Sequence, residues 1–198
     1  AAGGMGAHIA ADLTATGATV CRVDREPCRV PLEGALNFEG DLRYERFVRN
    51  LARATFETSG RVEYLVNAAG VLWFGRDFSV LDVNLDVWDE VMAINLKSMV
   101  HTVRHTTGFM RSTGGGAMVH VSTTQCFRGD DRPQDAYQAS KAGVIALSKS
   151  LAIQLAPDGI RSNVLVPGPT RSPMQARWDH DPALLEATAT AIPLRRVG

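Results

Sequence analysis

Cysteine is scarce in this 198-residue chain, and net charge is absent. Cys21, Cys28 and Cys126 are three in number and widely spaced, so they form neither a C-x-x-C site nor a disulfide framework. That usage fits a reducing compartment and predicts a cytoplasmic protein. Lys plus Arg and Asp plus Glu are both 21. A balanced chain offers no electrostatic case for nucleic acid or for an anionic membrane surface. No apolar run reaches the length of a membrane span, and no basic-then-apolar leader opens the chain. The five histidines, His8, His101, His105, His120 and His180, have no metal-ligand spacing, so no metal site is expected. What is present is an ordinary globular balance, 45% hydrophobic and 21% charged, with enough chain to bury a core.

The order of elements is more informative. Glycines at Gly3, Gly4 and Gly6 lead into a helical pattern carrying Ile9 and Leu13, stopped at Gly17. A strand-like run over 18–23 ends at Asp24. Asp41 is placed to cap a second helix that carries Phe47 and Leu51 and stops near Gly60. Residues 62–66 read as a buried strand running into Asn67-Ala68-Ala69-Gly70. A long helix follows with Val87, Val91 and Ile94 on one face, broken at Gly114-Gly115-Gly116. A strand over 117–121, a helix over 136–156 and a strand over 160–166 complete the alternation, which Pro167-Gly168-Pro169 ends. Strands alternating with helices build βαβ units and a parallel sheet.

Four separated motifs lie on this frame. Ala1-Ala2-Gly3-Gly4-Met5-Gly6 is similar to the end of T-G-x-x-x-G-x-G. Asn67-Ala68-Ala69-Gly70 resembles an N-N/A-A-G turn, Tyr137-Gln138-Ala139-Ser140-Lys141 is Y-x-x-x-K, and Pro167-Gly168 follows a strand. In order and separation they resemble the short-chain dehydrogenases/reductases over essentially the whole chain. The resemblance implies a Rossmann-like, doubly wound α/β domain spanning 1–198, with a strand and Thr-Gly expected before Ala1 and a further strand after Gly198. The stretch 65–72 and Met174-Gln175 are similar to the 2,3-dihydro-2,3-dihydroxybenzoate dehydrogenases of that family.

The residues carry chemistry that suits this resemblance. Gly4, Met5 and Gly6 open a helix whose free N–H groups attract a pyrophosphate. Asp24 at a strand end can accept hydrogen bonds from ribose hydroxyls and repel a 2′-phosphate, which favours NAD over NADP; Arg22 and Arg25 are the counterweight. By resemblance, Asp41 and Leu42 meet adenine, and Asn67, Ala68, Ala69 and Gly70 line the cofactor. Likewise Pro167, Gly168, Thr170 and Ser172 hold the nicotinamide carboxamide. Tyr137 and Lys141 stand at i and i+4 and share a helix face. A phenol has a pKa of about 10, and a nearby ammonium together with a positive nicotinamide ring lowers it toward use as an acid or base. Thr123, with Ser122 as the second candidate, would polarise the substrate oxygen. Asn95, unfavourable inside a helix, matches the family position that interrupts the helix ladder beside the lysine.

Residues 174–193 read as a lid, and Trp73, Phe74, Phe127 and Trp178 predict a cleft suited to a cyclic substrate. The expected activity is reversible hydride transfer between a small-molecule alcohol or ketone and nicotinamide. An NADPH-dependent 3-ketoacyl reductase and a catalytically silent dinucleotide-binding scaffold are the alternatives. The helix over 136–156 is apolar around more of its circumference than one buried stripe needs, through Ala142, Val144, Ile145, Ala146, Leu151 and Ile153. This predicts a homodimer or homotetramer.

Overall fold

A computed structural model describes residues 2–28 and 32–198. Ala1, the first residue of the glycine motif, lies outside them. In chain order the main elements are α1 (Gly4–Ala15), β1 (Cys21–Asp24), β2 (Leu36–Glu39), α2 (Glu45–Ser59), β3 (Tyr64–Asn67), α3 (Leu85–Met92), a π-helical turn (Ala93–Lys97), α4 (Ser98–Ser112), β4 (Gly116–Val121), α5 (Asp135–Leu155), β5 (Ile160–Leu165), α6 (Arg177–His180) and α7 (Pro182–Ala191). Every strand pairing is parallel: β1 with β2, and β3–β4–β5 in that order. This is the α/β, Rossmann-like architecture expected, with parallel strands and flanking helices. Parallel strands place their carboxyl ends on one edge, where ligands of such sheets bind.

The boundaries differ from the sequence reading in instructive ways. Strand β2 has no counterpart in it. Four residues alternating half-buried and exposed give too short a period to stand out beside Gly34, and β2 forms because β1 offers it a partner. Asp41 does not cap α2. The helix begins at Glu45 with Tyr44 at the cap position and no side-chain cap, because the Asp41 carboxylate instead accepts the Arg43 N–H at 2.9 Å and pairs with the Arg43 guanidinium at 2.7 Å. The long helix after β3 is continuous only through the π-turn. Val87 and Val91 are buried, Ile94 is half-buried, and Asn95 within the turn is buried.

Two packed groups set the position of α5. Met99, Met110, Met118, Val144, Leu151 and Ile160 join α4, α5, β4 and β5, with Met110 and Met118 fully enclosed. Burying each such side chain contributes about 1.5–3 kcal/mol. Ser148 and Ser162 satisfy each other at 2.8 Å within the α5–β5 contact. A second group, Val83, Val87, Val91, Ala136 and Tyr137, packs α3 on the start of α5, with Trp73 and Trp88 at its edge.

The entry into β4 depends on glycine. Gly115 has φ +110°, and a Cβ placed there would lie 2.5 Å from the Gly159 carbonyl oxygen just before β5. Gly115→Ala therefore costs about 2 kcal/mol or more and lowers Tm by roughly 5 °C, read by thermal unfolding. An unchanged Tm would mean that the α4–β4 turn is not held by this close approach.

Candidate active site

The N-terminal turn comes first. Gly4 has φ +56° and opens α1, whose start has no side-chain cap, so its N–H groups form an uncapped donor set. A Cβ on Gly4 would touch Pro173 at 3.8 Å and Ser172 at 3.9 Å. The fold thus brings the turn of Gly4, Met5 and Gly6 against Ser172, two places that only the motif pattern had linked. The Ala2 N–H donates to Asp24 Oδ2 at 2.7 Å, tying the same turn to the end of β1. Arg25 is exposed and acts electrostatically on Asp41, so Asp24, Arg25 and Asp41 share one edge. Hydrogen bonding to Arg43 holds the Asp41 carboxyl below the usual carboxylate range. Leu42 is fixed by its carbonyl, 3.1 Å from His101 Nδ1. Arg22 is buried, and its Nε–H donates to Asn37 across the β1–β2 pair.

The loop after β3 and the π-turn form the floor. Asn95 Oδ1 accepts the Val71 N–H at 2.8 Å, and its Nδ2 donates to the Val71 carbonyl at 3.0 Å and to Ser140 Oγ at 3.1 Å. One side chain therefore ties the loop, the π-turn and α5 together. Gly70 is a close approach here: a Cβ would lie 3.0 Å from Lys141 Nζ and 3.2 Å from Asn95 Oδ1, so both side chains would have to give way. Ala68 and Ala69 complete the loop between Asn67 and Gly70, and Ala69 is exposed.

On α5, Lys141 is 4% exposed, and its ammonium donates to the Val121 carbonyl at 2.8 Å. Burial pulls its pKa down to about 8. Tyr137 is buried in the α3–α5 group. Burial pushes its phenol up, and a hydrogen bond with the Thr123 side chain works against that rise. The expected lowering also draws on the positive nicotinamide ring of a bound cofactor; in the chain by itself desolvation is the larger influence on the phenol and the Thr123 hydrogen bond the opposing one. The two candidate hydroxyls part company. Ser122 Oγ is buried and donates to the Lys141 carbonyl at 2.8 Å, whereas Thr123 is the hydroxyl beside the phenol.

After β5, the Thr124 N–H donates to the Pro167 carbonyl at 3.0 Å, which joins the loop after β4 to Pro167-Gly168. The Thr170 hydroxyl donates back to the Gly168 carbonyl. The segment read as a lid is α6 and α7. Its Arg177 guanidinium lies 3.7 Å from the centre of the Phe74 ring, closing the lid on the loop after β3. Trp178 is buried and Phe127 is 71% exposed, so only the latter of this pair offers a free ring surface.

Two residues of this region escaped the sequence reading. Asp77 is 1% exposed and accepts the N–H groups of Ala136 and Tyr137. His120 is fully buried on β4, in a narrow cavity also lined by Asn67, Asn95, Ser98 and Lys141. Asn67 Oδ1 accepts from Thr102 Oγ1 at 2.8 Å, which turns its Nδ2 toward His120 Nδ1 at 3.0 Å. The other ring nitrogen, Nε2, has no partner among the described residues. No metal-binding group of His, Cys, Asp or Glu occurs among the described residues, and no helix among them is long and apolar enough to cross a membrane.

Residues 1–198 match the sequence profile of a family described as enoyl-(acyl carrier protein) reductase. The chain is 33% identical over 152 residues to an uncharacterized oxidoreductase of Thermotoga maritima, a match covering 75% of this chain and 59% of that protein. It thus spans less than two thirds of that relative. It is 31% identical over 207 residues to the rhamnolipids biosynthesis 3-oxoacyl-(acyl-carrier-protein) reductase of Pseudomonas aeruginosa, covering 98% of this chain and 80% of that one. Among solved structures it resembles the RhlG/NADP active-site complex of Pseudomonas aeruginosa, with a TM-score of 0.89, 28% identity, and coverage of 100% of this chain and 80% of that chain.

Burial pulls the His120 pKa down to about 4 from an ordinary 6.5. Between those values the unfolded chain holds a proton that the folded chain does not, so stability is whole above pH 6.5 and falls as the pH drops toward 4. The loss attributable to His120 between pH 7 and pH 5 is about 2 kcal/mol. Urea unfolding at the two pH values should show a shallower acid loss in His120→Gln. An equal loss in both proteins would refute the assignment.

Proposed function

The chain belongs to the short-chain dehydrogenase/reductase family, and we propose that it is an NAD-dependent oxidoreductase interconverting a secondary, cyclic alcohol and its ketone. The dihydrodiol 2,3-dihydro-2,3-dihydroxybenzoate is one such substrate. The observation that carries this reading is that α5 sets Tyr137, whose phenol meets Thr123, one turn from Lys141, which lies with Asn95 around Gly70, while the glycine turn at Gly4 abuts Ser172.

The residues present fit a dinucleotide. The uncapped start of α1 at Gly4, Met5 and Gly6 would receive the pyrophosphate, Asp24 the adenosine ribose, and Asp41 and Leu42 the adenine. Asn67 to Gly70, with Tyr137 and Lys141, would line the nicotinamide ribose, and Pro167, Gly168, Thr170 and Ser172 would hold the carboxamide. Bound there, the nicotinamide supplies two-electron hydride chemistry at the substrate carbon.

The chain supplies the rest. Thr123 orients the substrate oxygen. Tyr137 takes the hydroxyl proton during oxidation and returns it during reduction. Lys141, fixed by the Val121 carbonyl one helical turn from Tyr137, would supply positive charge that favours the phenolate against its desolvation. Asn95 holds the loop of Val71 to α5 behind this pair.

A second reading is reduction of a 3-ketoacyl thioester with NADPH. It is favoured by the 3-oxoacyl reductase among the relatives and by the NADP in the structural neighbour. Asp24 weighs against it, because a carboxylate at the end of β1 would repel a 2′-phosphate there, and the buried Arg22 Nε–H donates to Asn37. On α5 Val144 and Leu151 are buried in the core, and exposed Ala142, Ala146 and Ile153 would form the face of a dimer or tetramer.

Absorbance of NADH formed from cyclohexanol, cyclohexane-1,2-diol and 2,3-dihydro-2,3-dihydroxybenzoate tests the first reading, with acetoacetyl thioester and NADPH as the competing assay. Cofactor binding without turnover on either arm would favour the silent scaffold. Tyr137→Phe should lower turnover by about a hundredfold or more while NAD affinity stays close to that of the parent, and Thr123→Val should cost more than Ser122→Ala. A Tyr137→Phe enzyme with its rate intact would reject the acid–base assignment. Asp24→Ala should reduce the preference for NAD over NADP by about tenfold, through loss of charged hydrogen bonds and of charge repulsion. An unmoved ratio in steady-state assays with both cofactors would reject that role.

A further inference from the structure

We propose that Asp77 is a positioning residue for Tyr137, an inference that rests on the acid–base role given to that phenol above. Asp77 lies in the loop between β3 and α3, beyond the Asn67–Gly70 motif and part of none. Its carboxylate is nonetheless 1% exposed, with Oδ1 accepting the Ala136 N–H at 3.1 Å and Oδ2 accepting the Tyr137 N–H at 2.8 Å. No cation pairs with Asp77 among the described residues, so these N–H groups and the positive end of α5 are what compensate a buried charge.

The location gives the contact its purpose. Tyr137 is the third residue of α5, in the first turn, where N–H groups have no partner within the helix. The residue at the cap position, Gln134, makes no side-chain cap bond. Asp77 therefore does by tertiary contact what a local cap does elsewhere. A reciprocal pair locks the same joint: the Val80 N–H donates to Asp135 Oδ2 at 2.7 Å, and the Asp135 N–H donates to the Phe78 carbonyl at 3.3 Å. Lys141 is held separately, one turn deeper, by Val121 and by Ser122. Tyr137 and Lys141 thus share a helix and have different anchors, and loosening one need not release the other. A displacement of about 1 Å at a reacting group can cost about a hundredfold in rate.

The test compares parent, Asp77→Asn, Asp77→Ala and Tyr137→Phe as intact folded proteins. Turnover is read as NADH formation from the alcohols named above, cofactor binding by NADH fluorescence, and local order by hydrogen–deuterium exchange. Asp77→Ala should lose at least about tenfold in kcat with the NADH Kd within about twofold of the parent. Asp77→Asn, which keeps one acceptor of the two, should fall between them. Exchange at the N–H groups of Ala136 and Tyr137 should quicken in Asp77→Ala, while the turn around Lys141 stays protected. If Asp77→Ala does not fold, Asp77→Asn carries the test: a reduced kcat with unchanged Kd supports the role, and a parental kcat overturns it. A parental kcat in Asp77→Ala, or a kcat that falls only in step with the folded fraction, also overturns it. A Tyr137→Phe enzyme that keeps its rate would instead bring down the acid–base reading, so the two failures are separable.

Discussion

A lysine ammonium that is 4% exposed cannot be left without oxygen around it, and the way this chain meets that demand organises the rest of the site. Lys141 donates to the carbonyl of Val121, the last residue of β4, and the next residue, Ser122, donates its hydroxyl back to the Lys141 carbonyl. The two bonds run in opposite directions between the end of β4 and the middle of α5. They fix the rotation of α5 about its axis, which decides where Tyr137 lies one turn earlier. They also remove Ser122 from the space in front of the phenol, leaving that space to Thr123.

Much of this was legible in the sequence wherever a relation was local. Tyr137 and Lys141 share a face because they are four apart, and Gly60 ends α2 in a left-handed conformation as glycine at that place should. Alternating strands and helices foretold a parallel sheet. Local reading failed where another group competed for a side chain or a partner lay elsewhere in the chain. Asp41 has the composition of a cap, but Arg43 two residues later competes for its carboxylate and wins with a charged hydrogen bond. Strand β2 is defined by its pairing with β1 more than by its own four residues.

Asp77 and His120 were hidden for the same reason. Asp77 has partners 59 and 60 residues away, and no spacing rule reaches so far. His120 resembles any histidine in a strand until Asn67, itself held by Thr102, is seen to reach its Nδ1. The signal available beforehand was weak: an aspartate beside aromatic and glycine residues in a loop, and one histidine inside an apolar strand. Each is a buried polar group whose compensation comes from another part of the fold.

The parallel pairing of the strands also has a kinetic side. Gly116 faces Ile160, Tyr64 faces Ala117, and Asp77 reaches α5 across a comparable stretch of chain. Contacts so far apart in sequence repay their loop-closure entropy only once most of the chain is in place, and they slow folding relative to helix formation. The helices can regain their circular-dichroism signal while the joint between the Asp77 loop and α5 is still open. Recovered turnover is therefore a stricter measure of refolding for this chain than recovered helicity, and the lag between them reports the closing of that joint.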